Sequence, residues 1–150
     1  MNEKYIYFDS EHAIKVHDWI IENSGGRAGN ENLDLLHSPL EHVKNDDYYP
    51  TMEDKLAHLV YSINKNHAFC DGNKRSSIAL GAYFLECNGY EYCIKDFVLR
   101  MENIAVWIAD NIINKDLTLK IVTSLIYEDD YPESLKLEIA QAVNLAQTDF

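Results

Sequence analysis

The 150-residue sequence contains no apolar run approaching the ~20 residues that a membrane-spanning helix requires. Its opening residues, MNEKYIYFDS, lack the basic-then-apolar layout of a secretory leader, so a cytoplasmic protein is expected. Cysteine is scarce and odd in number. Cys70, Cys87 and Cys93, together with the missing leader, predict free thiols in a reducing compartment. No C-x-x-C or H-x-x-x-H pair is present to anchor a zinc ion. Positive charge is also short. A net charge of −12 leaves no basic surplus to release counterions from DNA or RNA, which excludes a general nucleic-acid binder.

What remains, 47% hydrophobic and 25% charged residues, suits one globular domain with an ordinary core. The periodicity is that of an all-α chain. "SEHAIKVHDWIIEN" places Ala13, Val16, His17 and Ile20 at helical spacing behind Ser10 as N-cap. "SGGRAGNEN" breaks that helix, and a short one is expected from Leu33 to Leu40. After the polar "KNDDYYP", Thr51 caps a helix with Leu56, Leu59, Val60 and Ile63 on one face. "SSIALGAYFLECNGY" is apolar on nearly every side, the mark of a buried central helix stopped at Gly89. Asp96 is expected to cap a helix bearing Phe97, Met101, Ile104, Ala105, Ile108 and Ile112. A short helix over Leu117–Tyr127 follows, and Pro132 opens a last one with Leu135, Ile139, Ala142, Val143 and Ala146 in register. "YIYF" at 5–8 and "YEYCI" at 90–94 are the candidates for a short strand. The acidic "YEDDYPES" divides a main unit, residues 1–127, from a helical extension, residues 128–150, packed on the same domain.

Between two of these helices lies "HAFCDGNKRSS", residues 67–77, which holds an imidazole, a carboxylate, a glycine, a carboxamide and two cations. From Asn64 to Ser76, Lys65, Lys74 and Arg75 against Asp71 make a local +2 in an acidic chain, a setting for a small anion rather than a polymer. His67 ends one helix, and Gly72 to Arg75 begin the next, where unpaired N–H groups and a partial positive charge bind phosphate. Gly72 permits the positive φ of an anion-binding nest. Lys74 and Arg75 add charge-assisted hydrogen bonds, and the Asn73 amide is a further donor. Asp71 is placed to hold a magnesium ion against phosphates. His67 has the intrinsic pKa of a base that takes a proton from a hydroxyl. Each residue also has a plainer role: His67 satisfying helix carbonyls, Asp71 and Asn73 as turn or cap residues, Phe69 as a core plug and Cys70 as packing. The other five histidines, His12, His17, His37, His42 and His58, are read as satisfying carbonyls. A base, a metal carboxylate and an anion cradle in one order are the parts of phosphoryl-type transfer.

The stretch "HAFCDGNKR" resembles the Fic/Doc signature H-x-F-x-[DE]-[GA]-N-x-R, with His67, Phe69, Asp71, Gly72, Asn73 and Arg75 matching. The flanking "IIENSGGRAGNENLDLLHSPLE" and "YYPTMEDKLAHLVYSINKN" are similar to the Doc branch as well, so the resemblance extends over residues 10–125. It implies a Fic/Doc-type helical domain with a small β-hairpin flap, placed by analogy at "HSPLEHVKNDDYY", which aligns a target segment by strand addition. Two departures separate the branches. AMP-transferring members usually carry glycine where this chain has Lys74, and a second, phosphate-clamping arginine where it has Ile78. Lysine without the second arginine is the Doc pattern. The resemblance then implies a transferase moving the γ-phosphate of ATP onto a hydroxyl of elongation factor Tu. In it His67 is the catalytic base, Asp71 positions Mg2+, and Gly72, Asn73, Lys74 and Arg75 hold the nucleotide phosphates, Arg75 also counting among the catalytic residues. The alternatives are AMP transfer to a protein and a non-catalytic nucleotide-binding or docking module. Many members carry an inhibitory S/T-x-x-x-E helix. "SLKLE" at 134–138 has that spacing but neither the Gly or Asn after the glutamate nor its arginine partner, and reads as an ordinary amphipathic helix. Doc toxins are neutralised instead by a separate antitoxin, which makes a small partner protein the expectation here.

Overall fold

Seven α-helices follow one another in the computed structural model, which describes residues 4–148. They are α1 (Ser10–Ser24), α2 (Asp34–His42), α3 (Met52–Lys65), α4 (Asn73–Cys87), α5 (Ile94–Ala109), α6 (Lys115–Tyr127) and α7 (Glu133–Thr148), with a 3-10 turn at Glu91–Cys93 before α5. The all-α expectation holds. Among the described residues there is no strand, only an isolated antiparallel bridge between Asn30 and Phe69. No helix among them is long and apolar enough to cross a membrane. The outermost residues of the two units expected at 1–127 and 128–150, namely 1–3 and 149–150, lie outside the described residues.

α4 is the central helix. It packs mainly on α3 and α5, and also on α1. Gly81 makes the approach possible, since a Cβ there would lie 2.8 Å from Phe97 Cζ and 3.0 Å from Val60 Cγ2. Leu80, Phe84 and Leu85 from α4 meet Leu56, Leu59, Val60 and Ile63 from α3 and Phe97, Met101 and Ile108 from α5 in one core. α3 starts as its sequence predicts, with a reciprocal capping box between Thr51 and Asp54. The fully buried Lys55 donates to the Val43 carbonyl at 3.0 Å and to Asp46 at 2.7 Å, which pins the α2–α3 connection to this helix.

Several expectations are corrected. Asp9, not Ser10, caps α1, its Oδ1 accepting from the His12 N–H at 2.9 Å. Asp96 lies inside the first turn of α5 and pairs with Arg100 at 3.2 Å, while Ile112 falls beyond the end of that helix. Neither "YIYF" nor "YEYCI" is a strand: the first has no regular secondary structure, and the second forms the 3-10 turn and the start of α5. The segment expected as a β-hairpin flap is helical through His42 and then turns. In α7, Leu135 is buried and Glu138 is bound to Lys120 of α6 at 3.0 Å. The three cysteines are free thiols, Cys93 buried and the other two half-buried.

Candidate functional site

α3 ends at Lys65, and the chain turns sharply at His67, whose φ of 51° is one of two positive values at non-glycine residues among those described. Such a conformation costs about 1–2 kcal/mol, and here it leaves the His67 ring exposed at the rim of the loop. The next residues are held in place. The Ala68 carbonyl accepts from the N–H groups of Glu31 and Asn32 at 2.9 and 3.2 Å, and Cys70 N–H donates to the Gly29 carbonyl at 3.1 Å. Phe69 is buried, as its plainer reading expected. The loop is therefore laid against the irregular segment between α1 and α2.

Asn73 closes the loop from the other end. Its side-chain amide donates to the Phe69 carbonyl at 3.0 Å and accepts from the Phe69 N–H at 3.2 Å. The side chain expected to donate to phosphate also fixes the loop here, through one of its two N–H groups. Its Nδ2 also lies 3.5 Å from His67 Nδ1, the link between the candidate base and the start of α4. Gly72 caps α4 at φ 79°, with no side-chain cap hydrogen bond on the helix's first turn. A Cβ at Gly72 would come within 3.2 Å of Ile21 Cδ1, so the position is limited in both conformation and space.

Asp71 carries the carboxylate of the site. Oδ1 accepts from Gly72 N–H at 2.8 Å and Oδ2 from Arg27 N–H at 3.0 Å. The Arg27 and Gly72 N–H groups, aided by the charges of Arg75 and Arg27, hold its pKa below the ordinary carboxylate value. Arg75 reaches back to α1, donating through Nη1 to Ser24 Oγ at 2.7 Å and to the Gly25 carbonyl at 2.8 Å. Its Nη2 and Asp71 Oδ2 flank Gly26, where a Cβ would sit 3.0 and 2.8 Å from them. Lys74 is exposed and makes no side-chain hydrogen bond or ion pair among the described residues, so its ammonium is available to a ligand.

The structure therefore brings His67, Asp71, Gly72, Asn73 and Arg75 into one connected loop, with Lys74 on its open side. The sequence reading missed three supports, all from α1 or the segment after it. His17 lies beneath the loop, Gly26 beside the carboxylate, and Arg27 donates its N–H to Asp71 and its guanidinium to the Cys70 carbonyl at 3.1 Å. The available signals were a histidine on the apolar face of an amphipathic helix and a glycine-rich break containing a cation.

Among the described residues no three acidic, histidine or cysteine side chains converge as a metal cluster. Asp71 alone can offer a charged oxygen ligand from the loop. Comparison with known sequences gives the same span a wider frame. The sequence model of the Fic/DOC family matches residues 7–85, just over half of the chain, ending within α4. The curated Toxin Doc of Mycolicibacterium smegmatis is 41% identical over 58 residues. That match covers 39% of this chain and 45% of the relative, so the chain spans less than half the length of the relative it resembles.

Proposed function

The chain belongs to the Fic/DOC family, and from that premise we propose that it is a Doc-like, toxin-type transferase acting in the cytoplasm. In this reading it moves the γ-phosphoryl group of ATP onto a hydroxyl side chain of a target protein. The observation that carries the reading is the loop itself: an exposed histidine, an ionised carboxylate held by two N–H groups, and an uncapped helix start with cations beside it. Phosphoryl transfer asks a protein mainly for position and charge, and these are what such a loop supplies.

His67 accepts the proton of the target hydroxyl as its oxygen bonds to the γ-phosphorus. The bond from that phosphorus to the bridging oxygen breaks, and ADP leaves with the electron pair. The first-turn N–H groups of α4, with Lys74 and Arg75, hold the phosphate oxygens while this occurs. Gly72 lets the main chain come close to them. Asp71 fits a magnesium ion, because its carboxylate is ionised and each oxygen keeps a lone pair beyond its single N–H bond. Magnesium commonly takes only one or two carboxylates, the rest of its shell being phosphate oxygens and water. When bound, it neutralises charge developing on the transferred phosphates.

The target is a translation factor, with elongation factor Tu as the first to examine. The target segment is aligned beside the irregular segment from 25 to 33, which is itself bonded to the motif loop, and not by the helical stretch from 34 to 42. A separate antitoxin protein covers the site when the enzyme is silenced. The deciding experiment incubates the chain, Mg2+ and the target with ATP labelled at the γ- or at the α-phosphate. Transfer of γ-label, lowered about 10²-fold or more by His67→Ala, supports the reading. Transfer of α-label alone means AMP transfer and overturns it, as does transfer of neither label.

A further inference from the structure

His17 lies 54 positions before Asp71, on α1, and is fully buried. Its Nε2 sits 2.6 Å from the Asp71 carbonyl oxygen. A carbonyl only accepts, so Nε2 carries the proton. The ring is stacked on Phe69 with centroids 3.8 Å apart and planes 5° from parallel. Its Cδ2 lies 3.5 Å from where a Cβ on Gly72 would be, and its Nδ1 is 3.3 Å from Asp18 Oδ1. One side chain of α1 therefore touches two residues of the loop and leaves little room for a side chain at a third.

The contact with Asp71 has a geometric consequence. The Asp71 carbonyl and the Gly72 N–H belong to one planar peptide unit. Holding the carbonyl fixes the direction of that N–H, and the N–H in turn holds Asp71 Oδ1 at 2.8 Å. An apolar side chain at position 17 would fill the same space and leave the peptide plane free to rotate. We propose that His17 is a positioning residue, which sets the Asp71 carboxylate for metal and phosphate through the Asp71–Gly72 peptide plane. The inference rests on the transferase reading for its purpose and on the loop geometry for its physics.

Two substitutions separate the donor from the ring. His17→Phe keeps an aromatic surface against Phe69 and loses the N–H; His17→Gln keeps a donor and loses the stack. The first readout is amide hydrogen exchange at Gly72 and Arg27, the two N–H groups on the carboxylate. The second is the Mg2+ concentration needed for half-maximal ATP binding, measured by calorimetry without any target. In His17→Phe, exchange at both amides accelerates at least about 10-fold while amides in the middle of α4 keep their protection. The Mg2+ requirement rises about 10- to 100-fold, as for other residues that orient a ligand from behind. His17→Gln recovers part of both. Unchanged exchange and Mg2+ requirement in His17→Phe overturn the proposal, as does a glutamine variant no better than phenylalanine. If His17→Phe does not fold, His17→Gln decides alone: near-native values uphold the donor role, and loss of both readouts overturns it. An unaltered chain that transfers neither label overturns the proposed function and leaves amide exchange to decide the role of His17.

Discussion

His17 and His58 are both buried, and both donate an Nε2 proton to a main-chain carbonyl, Asp71 at 2.6 Å and Pro39 at 3.1 Å. Both also lie against an aromatic ring, Phe69 in one case and Tyr49 in the other, the latter with centroids 4.2 Å apart. Their surroundings differ on the second nitrogen. His58 Nδ1 accepts from Lys115 Nζ at 3.1 Å, and the same ammonium reaches Tyr49 Oη at 3.2 Å. His58 thus fastens α2, α3, α6 and the α2–α3 connection to one another, and none of its partners belongs to the motif loop. His17 fastens α1 to the loop that carries the carboxylate. A buried histidine announces a carbonyl to be satisfied, and whose carbonyl it is decides whether the bond serves stability or chemistry.

The largest effect is expected on the His17 side, from a change that touches neither histidine. Gly26→Ala brings a Cβ to 2.8 Å from Asp71 Oδ2 at a φ of 122°, so the carboxylate or the backbone must move. Displacing a reacting group by about 1 Å can cost about 10²-fold in rate. That loss is the expectation for steady-state transfer, with a change in thermal midpoint of only a few degrees. A variant with native activity would detach the α1–α2 segment from the chemistry. His58→Leu probes the other node. It strips the Pro39 carbonyl and the Lys115 ammonium of a partner, at about 1–3 kcal/mol. Urea unfolding registers the cost, while kcat per folded molecule stays native. A fall in kcat at constant folded fraction would erase the contrast between the two nodes.

The smallest effect is a slope in pH. Burial first, and then the charge of Lys115, lower the pKa of His58 from 6.5 to about 4, against the Pro39 hydrogen bond that raises it. As pH falls, the unfolded chain takes up this proton before the folded one. The His58 contribution is therefore complete above pH 6.5, declines below that value, and is exhausted once the pH has passed about 4. Urea midpoints across this window fall with pH in the native chain and fall less steeply in His58→Leu. The N–H groups of Arg27 and Gly72 hold the pKa of Asp71 below the ordinary carboxylate value, so its charge persists to lower pH than that of an unheld aspartate.

How far the sequence could be read follows from how local each cause is. The start of α3 was legible because Thr51 and Asp54 cap each other over three positions and the apolar face repeats behind them. The start of α1 was not, because Asp9 and Ser10 are adjacent and both are competent caps; only the closing of the first turn chooses between them. "YIYF" has the composition of a strand but finds no neighbouring strand, and a strand cannot exist without one. The motif loop was legible as a unit because its residues are contiguous and resemble a known family. Its supports were not. His17 and Arg27 meet Asp71 across 54 and 44 positions, contacts that α1 creates only when it packs against α4. Asn73 shows that a residue type suited to phosphate also ties together the loop's own backbone, a second role its type does not announce.

The bond from residue 27 to Asp71 Oδ2 comes from the main chain. Every residue type but proline carries that N–H. The genetic code can therefore rewrite position 27 almost at will without removing the donor that holds the carboxylate. The Arg27 guanidinium, exposed and among the described residues hydrogen-bonded only to the Cys70 carbonyl, is left open to selection for some other purpose. A carboxylate anchored this way tolerates drift in the side chain beside it, because the bond that fixes it is drawn from the backbone and not from the residue's identity.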